Sequence, residues 1–170
     1  MALGNLHAHH DLLRLNAWQS AGRWQATIGA PVSTELLWVR ECVDAEALER
    51  LADKAQRSLN LAQGPLLRAV LATLADGSQR LLLVIHHLVV DGVSWRILLE
   101  DLQQAYQALA LGQPLKLPAK TSAFKVWAEQ LQAYASSQAL QHELHYWRDQ
   151  LQGASDALPC DHPQGENLQK

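Results

Sequence analysis

The sequence has few of the features that mark secreted or membrane proteins. It contains two cysteines, Cys42 and Cys160, in no C-x-x-C pattern, which predicts a reducing compartment. The longest uncharged apolar run, residues 81–85, is far shorter than the roughly 18 residues of a membrane helix. The N-terminus lacks a basic stretch followed by an apolar core, so we expect no signal peptide. These absences predict a cytoplasmic protein that does not enter a membrane.

Charge is also sparse. Lys and Arg number 14 against 17 Asp and Glu, which gives a formal charge of -3. Without a Lys/Arg block we expect no nucleic-acid partner. The sequence also lacks G-x-G-x-x-G, a phosphate loop and G-x-S-x-G, so nothing favours nucleotide binding or serine hydrolysis. With 48% hydrophobic residues over 170 positions, the chain can form a packed core as one domain or as half of a larger one.

Periodicity divides the chain into short strands and helices. The predicted strands share alternating or continuous apolar residues between turn signals: 13–17, 24–28, 36–43, 66–74 and 80–86. The predicted helices share an apolar stripe: 3–10, 44–59 with Asp44 as N-cap, 93–109, 124–134 and 140–151. Asp76-Gly77 predicts a hairpin turn. This order predicts an α+β fold, with a mixed sheet flanked by helices.

Several side chains are predicted to be buried. The run at residues 81–85 does not alternate, which predicts a strand covered on both faces. Arg14 interrupts an apolar strand and should need an acidic partner. Four tryptophans fit apolar stripes and are assigned to the core: Trp24, Trp38, Trp127 and Trp147. The acids are assigned to strand flanks or a helix surface: Glu35, Glu41, Glu100 and Asp101.

The most informative segment is HHLVVDGVSW at residues 86–95, which we call the motif segment. It lies where a strand ends and a helix begins, a position that fixes reactive side chains while a loop admits substrate. Adjacent strand residues point to opposite faces, so His86 and His87 should have different roles. An imidazole with a pKa near 6.5 can accept and return a proton at neutral pH. Asp91 can brace the turn, Gly92 permits an unusual backbone conformation and Ser94 can cap the helix.

Plainer interpretations remain open. A buried histidine can be a satisfied core residue. Three metal ligands from the motif segment are a weaker interpretation, because adjacent histidines diverge, and we predict no metal. At the end of the first helix we expect a structural role, since histidines there cap free carbonyls; this group is His7, His9, His10 and Asp11. His142 and His145 should lie on a solvated helix face.

The motif segment is similar to the H-H-x-x-x-D-G motif of the condensation and epimerization domains of nonribosomal peptide synthetases. Its Val-Ser-Trp-Arg-Ile-Leu continuation resembles the epimerization branch, because Trp commonly replaces Val93 in the peptide-bond-forming branch. Further stretches also resemble the family: H-H-D-L-L-R-L at 9–15, G-P-L-L-R-A at 64–69 and L-P-C-D-H-P at 158–163.

The resemblance implies a chloramphenicol-acetyltransferase-like half-domain. Family domains have two such halves with the active site in a tunnel between them. Residues 1–154 would form the N-terminal half with a truncated start, and 155–170 a linker toward the C-terminal half.

The resemblance also implies a reaction. An aminoacyl or peptidyl thioester on the phosphopantetheine of a carrier domain would lose its α-proton and regain one on the other face. His87 would be one of the two groups involved, supported by His86, Asp91, Gly92, Ser94 and Trp95, with Arg14 as the ion-pair partner of Asp91. We expect no directly bound cofactor or metal; the partners would be the peptidyl carrier domain and the C-terminal half.

Two alternatives remain. In a condensation domain the same histidine would assist amine attack on the thioester. In a non-catalytic half-domain that only docks carrier proteins, His87 would be dispensable.

Overall fold

A computed structural model describes residues 2–31, 35–154, 161 and 165. Its helices are α1 Ala2–His9, α2 Ala45–Arg57, α3 Gly92–Ala110, α4 Phe124–Ala135 and α5 Gln138–Leu151. Its strands are β1 Leu15–Ser20, β2 Arg23–Ile28, β3 Leu37–Cys42, β4 Leu67–Leu74 and β5 Gln79–Ile85. The first predicted strand starts two residues later than expected, because Asp11–Arg14 forms a 3-10 turn. The linker predicted at 155–170 lies almost entirely outside the described residues.

The strands form two sheets. β1 and β2 pair antiparallel around Ala21 and Gly22, whose positive φ angles of 50° and 73° suit a two-residue hairpin turn. In the second sheet β4 is central, parallel to β3 and antiparallel to β5. The parallel pair needs a crossover, and α2 provides it. The side chain of Asp44 accepts a hydrogen bond from the backbone N–H of Ala47 at the start of α2, so the predicted N-cap is confirmed. The predicted α+β fold with a mixed sheet is confirmed.

The prediction that residues 81–85 are covered on both faces is wrong for the described residues. In the part of the chain that the structure describes, β5 pairs only with β4 and lies at an edge of the sheet. Its first three residues are exposed, Leu81 to 57%. The most buried strand of this sheet is β4, in which Leu67, Ala69 and Val70 have almost no exposed surface. The apolar run therefore predicted the strand correctly but not the burial of its two faces.

The main core cluster lies beneath the motif segment. It joins residues from α1, the 3-10 turn, the start of β4, the motif segment and α3: Leu6, Leu13, Leu66, Leu67, Val89, Val90 and Leu98. Val89 and Val90 thus anchor the loop between β5 and α3 from within. Burial of each such valine contributes roughly 1.5–3 kcal/mol, which fixes the loop backbone that presents the histidines.

The chain divides into two compact units, residues 1–123 and 124–170. In the second unit, α4 and α5 contain no buried residues. The prediction of core tryptophans is therefore wrong for Trp127 and Trp147, exposed to 54% and 53%, and also for Trp24, exposed to 65%. Trp38 is partly buried, with the Arg68 guanidinium 4.5 Å from its ring centre. Among the described helices, none is long and apolar enough to cross a membrane.

Candidate active site

The motif segment is a short, well-anchored loop followed by the first turn of α3. The N–H of His86 donates to the carbonyl of Leu66 at 3.0 Å, which extends the β4–β5 pairing by one residue. The N–H of Val89 then donates to the carbonyl of His86 at 3.0 Å and closes a turn. With Val89 and Val90 buried, the loop has little freedom, and the side chains between these anchors are held in place.

The two motif histidines have different surroundings. His86 is half-buried, and its Nδ1 accepts a hydrogen bond from the N–H of Leu88 at 3.1 Å. That bond requires Nδ1 to be unprotonated, so a neutral His86 has its proton on Nε2. His87 is exposed, and within the described residues its ring makes no hydrogen bond. The structure thus gives His86 a role in the loop and leaves the His87 imidazole available to another molecule.

Asp91 begins α3 as its N-cap. Its Oδ1 accepts hydrogen bonds from the Ser94 N–H at 2.7 Å and the Ser94 hydroxyl at 2.6 Å. These bonds lower the pKa of Asp91, since they stabilise the carboxylate. The ionised carboxylate is also favoured by the positive end of the helix dipole. Ser94 therefore acts as the donor to the cap rather than as the cap itself.

Gly92 and Trp95 complete this turn. Gly92 is the first residue of α3, does not have a positive φ, and a side chain there would meet nothing within 4 Å. The expectation that Gly92 permits an unusual backbone conformation is therefore wrong for this fold, because the helical start suits any residue. Trp95 packs against the core cluster, and its N–H donates to the carbonyl of Asp91 at 3.1 Å.

Arg14 does not pair with Asp91, and that prediction is wrong. Its guanidinium donates to the Asp11 carboxylate at 2.9 Å and to three backbone carbonyls. These are the carbonyls of His7 at 2.9 Å, Ala8 at 2.6 Å and Gly29 at 2.9 Å. Arg14 therefore caps the end of α1 and ties it to the end of β2. The 3-10 turn explains the choice of partner, because it brings Asp11 within reach three residues away while Asp91 is occupied at α3.

The histidines at the end of α1 have structural roles, as expected, but through burial at His7 and a contact with Asp101 at His10. His7 is buried; burial chiefly, and then the Arg14 charge, lower its pKa. The Nε2 of His10 lies 2.7 Å from Oδ2 of Asp101 on α3. Asp101 is only 5% exposed, so its assignment to a helix surface is wrong. The signal was present in the sequence, since Leu98, Asp101 and Ala105 fall on one helical stripe.

An open depression of about 550 Å³ lies beside the motif segment. Its lining includes Trp18, Trp24, the 59–62 loop and His86. His87 is not among its lining residues. The site elements described so far are therefore an anchored loop, one histidine that supports it and one exposed histidine.

Residues 1–170 match the family model described as Condensation domain, and the chain belongs to that family. It is 47% identical to a component of linear gramicidin synthase of Brevibacillus parabrevis, over 98% of this chain and 2% of that protein. It is 40% identical to a component of plipastatin synthase of Bacillus subtilis, over 98% of this chain and 7% of that protein. The chain thus spans a small part of its curated relatives.

Solved structures show the same fold. The epimerization domain from the third module of tyrocidine synthetase B matches with a TM-score of 0.83 and 36% identity, over 93% of this chain and 37% of that domain. The starter condensation domain of rhizomide synthetase RzmA matches with a TM-score of 0.69 and 22% identity, over 91% of this chain and 38% of that one. The predicted condensation-type fold and membership of the condensation-domain superfamily are confirmed.

Proposed function

We propose that this chain is part of an epimerization domain that inverts the α-carbon of an aminoacyl or peptidyl thioester held on a carrier domain. The observation that carries the proposal is its likeness to an epimerization domain, with a TM-score of 0.83 at 36% identity. The condensation-type structures at 22–24% identity support the shared fold alone. The V-S-W sequence at 93–95 also supports epimerization, because it resembles the epimerization branch of the family.

In this proposal His87 exchanges a proton with the substrate α-carbon. The thioester carbonyl acidifies the α C–H bond; a base takes the proton, and the electron pair moves onto the carbonyl oxygen as an enolate. A proton delivered to the opposite face then restores the C–H bond with inverted configuration. The reaction needs one group on each face. We assign His87 to one face and assign the other to the C-terminal half of the domain.

The remaining motif residues would hold His87 in position. His86 fixes the loop through the Leu88 N–H, Asp91 and Ser94 fix the start of α3, and Trp95 packs on the core. Arg14 would act at a distance, through the end of α1. The chemistry requires no metal or redox cofactor, because the thioester itself stabilises the enolate. The phosphopantetheine arm belongs to the carrier domain and arrives with the substrate.

Condensation is the second candidate, favoured by the match to the Condensation domain family model and by a likeness to a condensation domain of the enacyloxin polyketide synthase, with a TM-score of 0.65 at 30% identity. There His87 would assist the attack of an acceptor amine on the thioester carbonyl. The two reactions differ in product, because one changes configuration and the other forms an amide.

The test uses the complete domain that contains these 170 residues, with an L-aminoacyl carrier and a second aminoacyl carrier as acceptor. Chiral chromatography measures the D-isomer, and mass spectrometry measures the amide. The proposal expects D-aminoacyl thioester and no amide. It also expects His87→Ala to lower D-isomer formation by about 100-fold or more, with exposed His142→Ala as the matched control. Amide without D-isomer would establish condensation. Formation of neither the amide nor the D-isomer would favour a docking role.

A further inference from the structure

A group of metal-ligating side chains lies outside the motif segment, where α1 meets α3. His9 is the last residue of α1, His10 follows it, and Asp101 lies midway along α3. One ligand atom from each of the three lies within 4.8 Å of the others. We propose that this His9–His10–Asp101 cluster binds a divalent transition-metal ion of the zinc type. The inference does not depend on the proposed reaction.

The cluster is built by the packing of the two helices. Leu6 of α1 and Leu98 of α3 belong to the same core cluster, which holds the helices together beside it. Asp101 is 5% exposed, and a carboxylate is costly to bury unless it is paired or binds a metal. The three side chains therefore come from two elements in fixed contact rather than from a flexible surface.

The hydrogen bond between His10 and Asp101 uses only part of the available donor set. It occupies Nε2 of His10 and Oδ2 of Asp101. Within the described residues, neither nitrogen of His9 nor Oδ1 of Asp101 makes a side-chain hydrogen bond. Every fully buried side-chain nitrogen or oxygen in that part of the chain has a hydrogen-bond partner. Because the His9 nitrogens and Oδ1 of Asp101 have none, they are accessible to solvent. An ion could therefore enter and find unused ligands.

Adjacent histidines diverge on a strand, but they do not diverge here. The chain leaves α1 between His9 and His10, and their ring centres lie 5.0 Å apart, edge to face. Both rings thus lie on the side of Asp101. Divergence of neighbouring rings, which disfavours a metal site in the motif segment, is therefore no obstacle at this helix end.

Two imidazoles and one carboxylate are a ligand set that zinc uses in sites with one open position. Ligand atoms around a tetrahedral zinc lie about 3.3 Å apart, given bonds of about 2.0–2.2 Å. The three ligand atoms now lie within 4.8 Å of one another, and side-chain rotation would bring the more distant ones closer. The distance between His10 Nε2 and Asp101 Oδ2, now 2.7 Å, would increase slightly. Imidazole ligands disfavour magnesium and calcium, which prefer oxygen. The ion would fasten α1 to α3.

The test is calorimetric titration of the untagged 170-residue chain with zinc chloride and, separately, with magnesium chloride. We expect one zinc ion per chain and no heat with magnesium. His9→Ala removes one ligand but leaves the His10–Asp101 hydrogen bond, so the fold should persist, and we expect zinc affinity to fall at least about tenfold. The matched control is His142→Ala, which removes one of the two histidines that lie three residues apart on α5, and it should bind zinc like the original chain.

A second readout is the visible absorption spectrum of the chain with cobalt(II), which reports coordination directly. Intense bands that disappear in His9→Ala and persist in His142→Ala would support the site. Absence of stoichiometric zinc binding, or equal affinity in the His9→Ala chain, would overturn the proposal and leave the His10–Asp101 hydrogen bond as a purely structural contact. Loss of binding in His142→Ala would also overturn it, since it would place the ion on α5.

Discussion

The two neighbouring imidazoles of the motif segment are distinguished by a single hydrogen bond. His86 accepts from the Leu88 N–H and is half-buried, whereas His87 is exposed. We predict that His86→Ala lowers the free energy of unfolding by about 1 kcal/mol, whereas His87→Ala changes it by less than about 0.5 kcal/mol. Chemical denaturation of both variants measures this difference. Equal destabilisation would show that His87 also supports the fold.

His7 gives the chain a predictable response to acid. Its pKa in the folded chain lies below the ordinary value of 6.5, chiefly because of burial and secondly because of the Arg14 charge. The unfolded chain therefore binds more protons just below pH 6.5, and the free energy of unfolding falls as the pH falls through that range. Stability from His7 is fully present above pH 6.5. The Asp11 and Asp91 carboxyls, whose pKa values are lowered from 3.8, contribute stability throughout this range and lose it only at more acidic pH.

Thermal melting between pH 7.5 and 5.0 measures this effect. We expect the decrease in Tm to be smaller in His7→Asn than in the original chain. The matched control, His142→Asn at an exposed site, should keep the full decrease. An unchanged pH dependence in His7→Asn would show that other groups govern acid sensitivity.

At the scale of elements, Arg14 joins α1, the 3-10 turn and β2. We predict that Arg14→Ala lowers the free energy of unfolding by on the order of 1.5–3 kcal/mol, because three carbonyls lose a charged donor. A double-mutant cycle on Tm identifies the partner. Arg14→Ala should couple with Asp11→Ala and add independently to Asp91→Ala. Coupling with Asp91→Ala but not with Asp11→Ala would contradict the structure and support an Arg14–Asp91 ion pair.

The start of α2 offers a simpler test of local structure. Asp44 accepts the Ala47 N–H, whereas Asp53 on the same helix only faces Arg57 at 3.6 Å across an exposed surface. We predict that Asp44→Ala costs about 1 kcal/mol and that Asp53→Ala costs less than about 0.5 kcal/mol. Urea denaturation compares the two variants. A larger effect at Asp53 would contradict the capping account.

For the whole molecule, local signals predicted the elements better than their surroundings. Turn residues and periodicity located the hairpin at Asp76-Gly77 and the long helix after Asp91, because these features depend on a few neighbouring residues. Leu81 and Trp127 show the limit. An apolar stripe identifies the apolar face of an element, but whether that face is buried depends on the arrangement of distant elements. The partner of Arg14 could not be predicted either, because the 3-10 turn that presents Asp11 has no clear apolar period.

The candidate site divides in the same way. The motif at 86–95 could be found from sequence, since its residues are contiguous and its position between strand and helix follows from local patterns. The His10–Asp101 pair joins residues 91 positions apart. Its sequence signal was a polar residue on the buried stripe of α3, which indicates a partner without saying which residue it is.

The most direct test of the account is deuterium uptake at the α-carbon of an L-aminoacyl carrier, incubated in heavy water with the complete domain. We predict uptake with the unaltered domain and with His142→Ala, and a loss of about 100-fold or more with His87→Ala. The 170-residue chain alone should form no D-isomer, because inversion also needs the second proton-transfer group, which we assign to the C-terminal half. Undiminished uptake with His87→Ala would contradict the central claim that this histidine exchanges the proton.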